Sequence, residues 1–155
     1  MLQAEVNGYV CKSTQNYEVL YSVLEDITLD DTASIQAMNQ RKLTKTIKSC
    51  DNLICYSPSG DAVGACVYTT GLNGIELIHM YVVPKYRVSY GSALLNHYLI
   101  NIIGDGKEVW LKSGNTSSFN KVVEETKMLD VYTITDRARD GLKKMLADKV
   151  IWKEI

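Results

Sequence analysis

The sequence lacks the features by which several common protein classes are recognised. Seventeen lysines and arginines stand against eighteen aspartates and glutamates, a formal net charge of −1. No global electrostatic footprint therefore points to DNA, RNA or an acidic membrane surface. No segment approaches the ~20 consecutive apolar residues of a membrane span, and the opening MLQAEVNGYV has no basic region leading into an apolar run. Cys11, Cys50, Cys55 and Cys66 show neither CxxC pairing nor the histidine spacing of a zinc site, so they read as buried free thiols and no metal is expected. Internal repeats, low-complexity tracts and an interdomain linker are also missing. The expectation is a soluble, cytoplasmic protein that needs neither nucleic acid nor membrane.

What is present is a core. With 155 residues, 46% of them hydrophobic, the chain suffices for one domain and leaves little room for two, so a single domain over 1–155 is expected. VNGYVCK, residues 6–12, reads as a strand. STQNYEVLYSVLEDI follows with caps and a helical stripe of Tyr17, Leu20, Tyr21, Leu24 and Ile27. A second helix is expected from near Asp31 or Thr32 through Ile35, Met38, Leu43 and Ile47. Then LICYS, AVGACVYTT and IELIHMYVV alternate with the turns PSGD and GLNG, the pattern of a three-stranded antiparallel meander. A helix from about Tyr90 to Ile103 should bury Leu94, Leu95, Tyr98, Leu99 and Ile102. Because it separates KEVWLKS from the third meander strand, those two strands can lie parallel. NTSSFNKVVEETKML reads as a helix, VYTIT as a strand, DRARDGLKKMLADK as a short helix and VIWKEI as a closing strand, paired within the chain or with a neighbour.

One stretch carries more than architecture. VVPKYRVSYGSALL, residues 82–95, ends a strand at Pro84, follows with Lys85 and Arg87, and opens a helix at Gly91 and Ser92. Bare amides beside a helix N-terminus suit anionic groups. The same residues also make a plain strand-to-helix turn in which Gly91 serves packing.

The element order and this stretch together resemble the GNAT superfamily of acyl-CoA-dependent N-acyltransferases. The family signature is a strand ending V-x-P-x-x-R or Q, a glycine-rich loop, then G-S-x-L-L opening a helix. Here Val82, Pro84 and Arg87 match on the strand side, and Gly91, Ser92, Ala93, Leu94 and Leu95 on the helix side. The loop between them, Val88-Ser89-Tyr90, is shorter than usual and lacks the first glycines. Downstream, LKSGNTSSF resembles the family's strand, asparagine and small-residue helix start through Leu111, Asn115 and Ser118, but Val122 stands where many members carry the tyrosine that protonates the departing thiolate.

The resemblance implies an α/β fold with a mixed, mostly antiparallel sheet, a central splayed parallel strand pair and helices on both faces. It implies acetyl-CoA as cofactor. Backbone groups of Met80, Tyr81 and Val82 would meet its pantetheine arm, and Arg87, Val88, Ser89, Tyr90, Gly91 and Ser92 its pyrophosphate. Asn115 and Ser118 would contact the arm near the thiol. The first of the two splayed strands, here Ile75 to Val83, would carry a bulge.

Acylating an amine requires a group that takes a proton from the ammonium, and a carboxylate in an apolar strand suits that task. Glu76 holds the position where general-control-type histone acetyltransferases carry their glutamate base; it also reads as a rim carboxylate beside the GLNG turn. His79 reads as a hydrogen-bonded core residue, or as a base acting through water, and His97 as a surface residue. Tyr81, Tyr90 and Tyr132 all stand as candidates for the general acid. The expected function is acetyl transfer to a primary amine on a small molecule, a lysine or a protein N-terminus, by a monomer or homodimer. A GNAT-like module without catalysis is the alternative, consistent with the short loop, Val122 and the helix near 136–148, which the family pattern does not explain.

Overall fold

The computed structural model describes residues 2–24, 40–71, 74–112, 131–133 and 136–154. It opens with a hairpin, β1 (Leu2–Val6) and β2 (Tyr9–Ser13), where the sequence suggested one strand over VNGYVCK. Asn7 and Gly8 interrupt that strand with φ values of 48° and 85°. Positive φ at both central residues is what a two-residue Asn-Gly hairpin turn requires, and Val6 pairs directly with Tyr9.

Asn16 then starts α1 (Tyr17–Leu24), its side-chain oxygen accepting from the Val19 amide at 3.3 Å. The expected stripe position Ile27 and the expected start of the second helix, with Ile35 and Met38, lie outside the described residues. Leu43 and Ile47 of that expected helix lie on α2 (Gln40–Ser49). The meander follows as β3 (Asp51–Tyr56), β4 (Ala62–Thr70) and β5 (Gly74–Val82), all antiparallel in sequence.

After a 3₁₀ turn at Pro84–Tyr86 comes α3 (Tyr90–His97), which widens into π-helical winding over Tyr98–Ile103. The widening corrects the expected stripe. Leu94, Leu95, Tyr98 and Leu99 are buried, but the next inward residues are Ile100 and Asn101, while Ile102 is exposed. A π turn takes up an extra residue, so the inward face slips by one position.

The remaining elements are β6 (Glu108–Lys112), β7 (Val131–Thr133), α4 (Asp136–Leu146) and β8 (Ile151–Glu154). The helix expected over NTSSFNKVVEETKML, with Asn115, Ser118 and Val122, lies outside the described residues. Among the described residues one eight-stranded sheet runs β7-β6-β5-β4-β3-β2-β1-β8. β6 is parallel to β5 and the other pairs are antiparallel, so the expected mixed sheet is found. β8 pairs within the chain, antiparallel to β1. Leu94, Leu95 and Leu99 pack with Cys11, Leu53, Ile75 and Leu77 on one face. Leu20, Val23, Leu24 and Ile47 cover Ile54, Ala65, Val67 and Tyr81 on the other. Among the described residues no helix is long and apolar enough to cross a membrane.

α4, which the sequence left without a role, fastens the end of the preceding helix. Helix C-termini leave carbonyls without intrahelical partners. Buried Arg139 donates from Nη1 to the Ile100 carbonyl at 3.1 Å and from Nη2 to the Lys107 carbonyl, while Asn101 Nδ2 donates to the Arg139 carbonyl at 3.2 Å. Leu146 adds to the core on the α3 face.

Candidate functional site

The site is organised by β5, whose two ends differ. Gly74, Ile75 and Glu76 pair with Glu108, Val109 and Trp110 of β6. Beyond that point Leu111 and Lys112 keep β7 on their other edge but have no partner on β5. Among the described residues, nothing pairs with Leu77–Val82 on that edge. This is the splayed parallel pair that the resemblance implied.

The bulge is present as well. Val67 and Tyr68 are consecutive on β4 but face His79 and Leu77, so Ile78 is an extra residue on β5. An extra residue reverses side-chain alternation from there onward. Leu77 packs with the α3 face, whereas Tyr81, four residues on, packs with the α1 face. Cross-strand partners share a face, so His79 lies on the face of Val67. Ile78 packs there too, and Glu76 alternates with Ile75 and Leu77 onto that face. The bulge thus gathers Glu76, Ile78, His79 and Tyr81 under α1.

Glu76 is half-buried, between Thr69 of β4 and Trp110 of β6. His79 is 1% exposed, and among the described residues neither ring nitrogen has a hydrogen-bond partner, which corrects the expectation of a bonded core histidine. Burial lowers its pKa to about 4, so the ring is neutral at ordinary pH. His97 is also corrected: it is buried, its Nδ1 lies 2.9 Å from Asn101 Nδ2, and its ring lies beside Trp152.

Backbone direction separates the three residues expected to meet a cofactor arm. The Val83 amide donates to the Val63 carbonyl of β4 at 2.8 Å. Backbone groups alternate in direction along a strand, so Tyr81 also turns toward β4, while Met80 and Val82 turn to the edge away from β4. Arg87 agrees: its Nε donates to the Val82 carbonyl at 2.8 Å, and its guanidinium lies 5.2 Å from the centre of the Tyr81 ring. The arginine expected at a pyrophosphate therefore also braces the strand end.

Ser89 caps α3, its Oγ accepting from the Ser92 amide at 3.4 Å and donating to the Tyr86 carbonyl at 2.6 Å. The amides of Val88, Tyr90 and Gly91 have no hydrogen-bond partner among the described residues. Arg87, Val88, Ser89, Tyr90 and Ser92 line one groove of about 680 Å3, to which Leu142 and Met145 of α4 also contribute. Lys149 approaches the same end, donating to the Tyr90 hydroxyl at 3.0 Å. Gly91 itself faces the sheet: an added Cβ would lie 2.5 Å from Tyr9 Cδ1 and 3.3 Å from Cys55 Sγ. Its missing side chain serves the contact of helix with sheet, the packing reading of that glycine. Asn115 and Ser118 lie outside the described residues.

Cys50 is only partly buried, while Cys11, Cys55 and Cys66 are buried and offer no nucleophile. Burial pushes Cys55 up to about 12, and Cys11 and Cys66 are raised by the same cause. Such cysteines are inert as thiolates at neutral pH. Three features were missed in the sequence: the Asn7-Gly8 hairpin, although Asn-Gly is a strong turn signal, the π winding, and the sharing of one face by Glu76 and His79. The last depends on the bulge, for which no local residue pattern exists.

No protein-family model matches the chain, and no curated protein sequence matches it. Solved structures do. An acetyltransferase from Streptococcus agalactiae 2603 is similar over 96% of this chain and 99% of its own, with a TM-score of 0.53 and 16% identity. An IAA acetyltransferase from Bacillus cereus ATCC 14579 is similar over 77% of this chain and 74% of its own, with a TM-score of 0.50 and 18% identity. A histone acetyltransferase HPA2-related acetyltransferase from Corynebacterium glutamicum ATCC 13032 is similar over 79% and 83%, with a TM-score of 0.51 and 15% identity. Splayed strands, bulge, helix start and these likenesses agree: the chain has the fold of the GNAT superfamily.

Proposed function

We propose that the protein is an N-acetyltransferase that moves an acetyl group from acetyl-CoA to a primary amine by direct attack in a ternary complex. The observation that carries the reading is the parting of β5 and β6 immediately after Glu76, with the bulge at Ile78 and a helix start at the far end of the opening. The residues present fit the cofactor. Met80 and Val82 turn backbone toward the open edge, where a peptide-like arm can take the place of a strand. The amides of Val88, Tyr90 and Gly91 are available to an anion at the positive end of α3. When bound, acetyl-CoA supplies the activated acyl thioester.

The chain's own residues orient the acceptor and move its proton. Glu76, at the base of the opening, accepts a proton from the acceptor ammonium and leaves a neutral amine to attack. A main-chain amide near Val82 would hold the thioester oxygen, and CoA would leave as the thiolate when the amide bond forms. The acceptor class remains a primary amine, approached from the α1 face. A GNAT-like module without turnover is the second reading, favoured by the engagement of Arg87 with Val82 and of Ser89 with Tyr86 and Ser92.

Calorimetry with acetyl-CoA, followed by thiol release against a panel of primary amines, tests the two together. Micromolar binding and turnover support the enzyme, and Glu76→Gln then lowers the rate by roughly a hundredfold, the lower range of general-base effects, with cofactor affinity kept. Binding without turnover on any amine supports the module, and absence of binding at millimolar ligand removes acetyl-CoA from both readings.

A further inference from the structure

A second cavity, of about 660 Å3, lies at the end of the sheet where β2 stops and β3 begins. Its walls come from β2, β3, β4 and the ends of α1 and α2, so β4 separates it from the open edge of β5. Lys12, Lys48 and Asp51 all line it, and among the described residues none of the three is ion-paired. The lysines are held by rings rather than by carboxylates: Lys12 Nζ lies 5.6 Å from the centre of the Tyr56 ring and Lys48 Nζ 5.9 Å from that of Tyr17. A ring orients an ammonium and leaves its charge available to an anion. Asn52, 5% exposed, forms part of the wall. Its Nδ2 donates to the Ile47 and Cys50 carbonyls at 3.1 and 3.2 Å, which fixes the amide, and its Oδ1 has no donor among the described residues. Leaving such an acceptor unmet is costly. Tyr68 also lines the cavity; burial first, and neighbouring charges including Asp51 after it, keep its phenol protonated and so a donor.

We infer that this cavity is a binding site for a free α-amino acid, its carboxylate met by Lys12 and Lys48 and its ammonium by Asp51, with Asn52 Oδ1 as a second acceptor. Opposite charges that share one cavity without closing on each other match a ligand that carries both signs. A plain anion such as phosphate would satisfy the lysines but stand against Asp51 and Asn52 Oδ1, and a plain amine would do the reverse. Lys48 stands over Tyr17, the first residue of α1, so the positive end of that helix adds to the carboxylate's side. The volume leaves room for any side chain, so recognition falls on the groups that all α-amino acids share. Neither acetyl-CoA nor the open edge of β5 enters into this site, and no covalent step occurs in it.

The test titrates full-length 15N-labelled protein, without CoA, with each of the common L-amino acids at millimolar concentration. Saturable movement of the Thr14, Asp51 and Asn52 amides by at least one of them is expected, with the Val88, Tyr90 and Gly91 amides unmoved. Movement confined to that second set, or none with any amino acid, overturns the inference. So does equal affinity for acetate, inorganic phosphate or n-butylamine, each of which offers only one of the two charges. In parallel, Asp51→Asn and Lys48→Gln, both at exposed positions, should melt as wild type and each weaken amino-acid binding roughly tenfold or more, the loss of one charge-assisted contact. Unchanged affinity in either variant puts the amino acid elsewhere and overturns the site. Should one variant not fold, the other decides together with the wild-type titration. Failure of CoA to bind removes the acetyl-transfer reading and leaves this one standing.

Discussion

β5 is one strand with two environments. Its first residues, Gly74 to Glu76, are hydrogen-bonded to neighbours on both edges; the rest, Leu77 to Val82, have a partner strand only on the β4 side among the described residues. Side chains in both halves are buried, for Ile75 is 0% and Tyr81 7% exposed, so the difference is not one of core against surface. It lies in the backbone. The first half spends its polar groups on the sheet, and the second keeps those of Met80 and Val82 turned outward. Pairing with β4 and packing on both faces hold the second half in place without a partner strand on its other edge among the described residues.

The largest effect should come from breaking the anchored half. Ile75→Ala leaves a cavity among Leu77, Leu99 and Val109 in a position with no exposure. The expected loss is about 3–4 kcal/mol, within the range for large-to-small core changes. Chemical denaturation measures it directly. A loss under about 1 kcal/mol would mean that the doubly paired end is no better anchored than the free one, and the contrast between the halves would collapse.

Acid should act next, through the free half. The His79 pKa falls from 6.5 to about 4 on folding. Between those values the unfolded chain binds a proton that the folded chain does not, so stability rises with pH through this window. His79 contributes fully above pH 6.5, and its contribution is lost as pH falls toward 4, roughly 3 kcal/mol at 1.36 kcal/mol per pH unit. Melting curves of wild type and His79→Leu across this window should converge at neutral pH, apart from a constant offset, and separate in acid. Parallel curves would show that the imidazole is protonated as easily in the fold as outside it.

The same contrast explains what the sequence could convey. The meander, the parallel crossover and the helix after Arg87 were legible, because apolar period and turn residues announce them. Glu76 was legible as a carboxylate in an apolar strand. The relation of Glu76 to His79 was not, since strict alternation puts them on opposite faces and only the unpaired Ile78 reverses it. Nor was the bond of Arg87 to the Val82 carbonyl, because a motif fixes a residue's place in the chain but not the direction in which its side chain turns. α4 became intelligible only through Arg139, whose partners Ile100 and Lys107 lie more than thirty residues away along the chain.

The smallest effect tests how the free end is held. Ser89 closes the turn between β5 and α3, with its hydroxyl bonded to the Tyr86 carbonyl on one side and the Ser92 amide on the other. Removing it by Ser89→Ala forfeits an N-cap, about 1 kcal/mol of stability. The neighbouring amides of Val88, Tyr90 and Gly91 are arranged by that turn, so their loosening should weaken CoA binding by roughly fivefold, the binding equivalent of the same energy. Ser89→Thr keeps an oxygen at the same place and should restore most of both. Calorimetry and melting on the two variants make the comparison. If alanine and threonine behave alike, the cap does not order the loop, and the free half of β5 is held instead by Arg87 and by the rings packed beneath it.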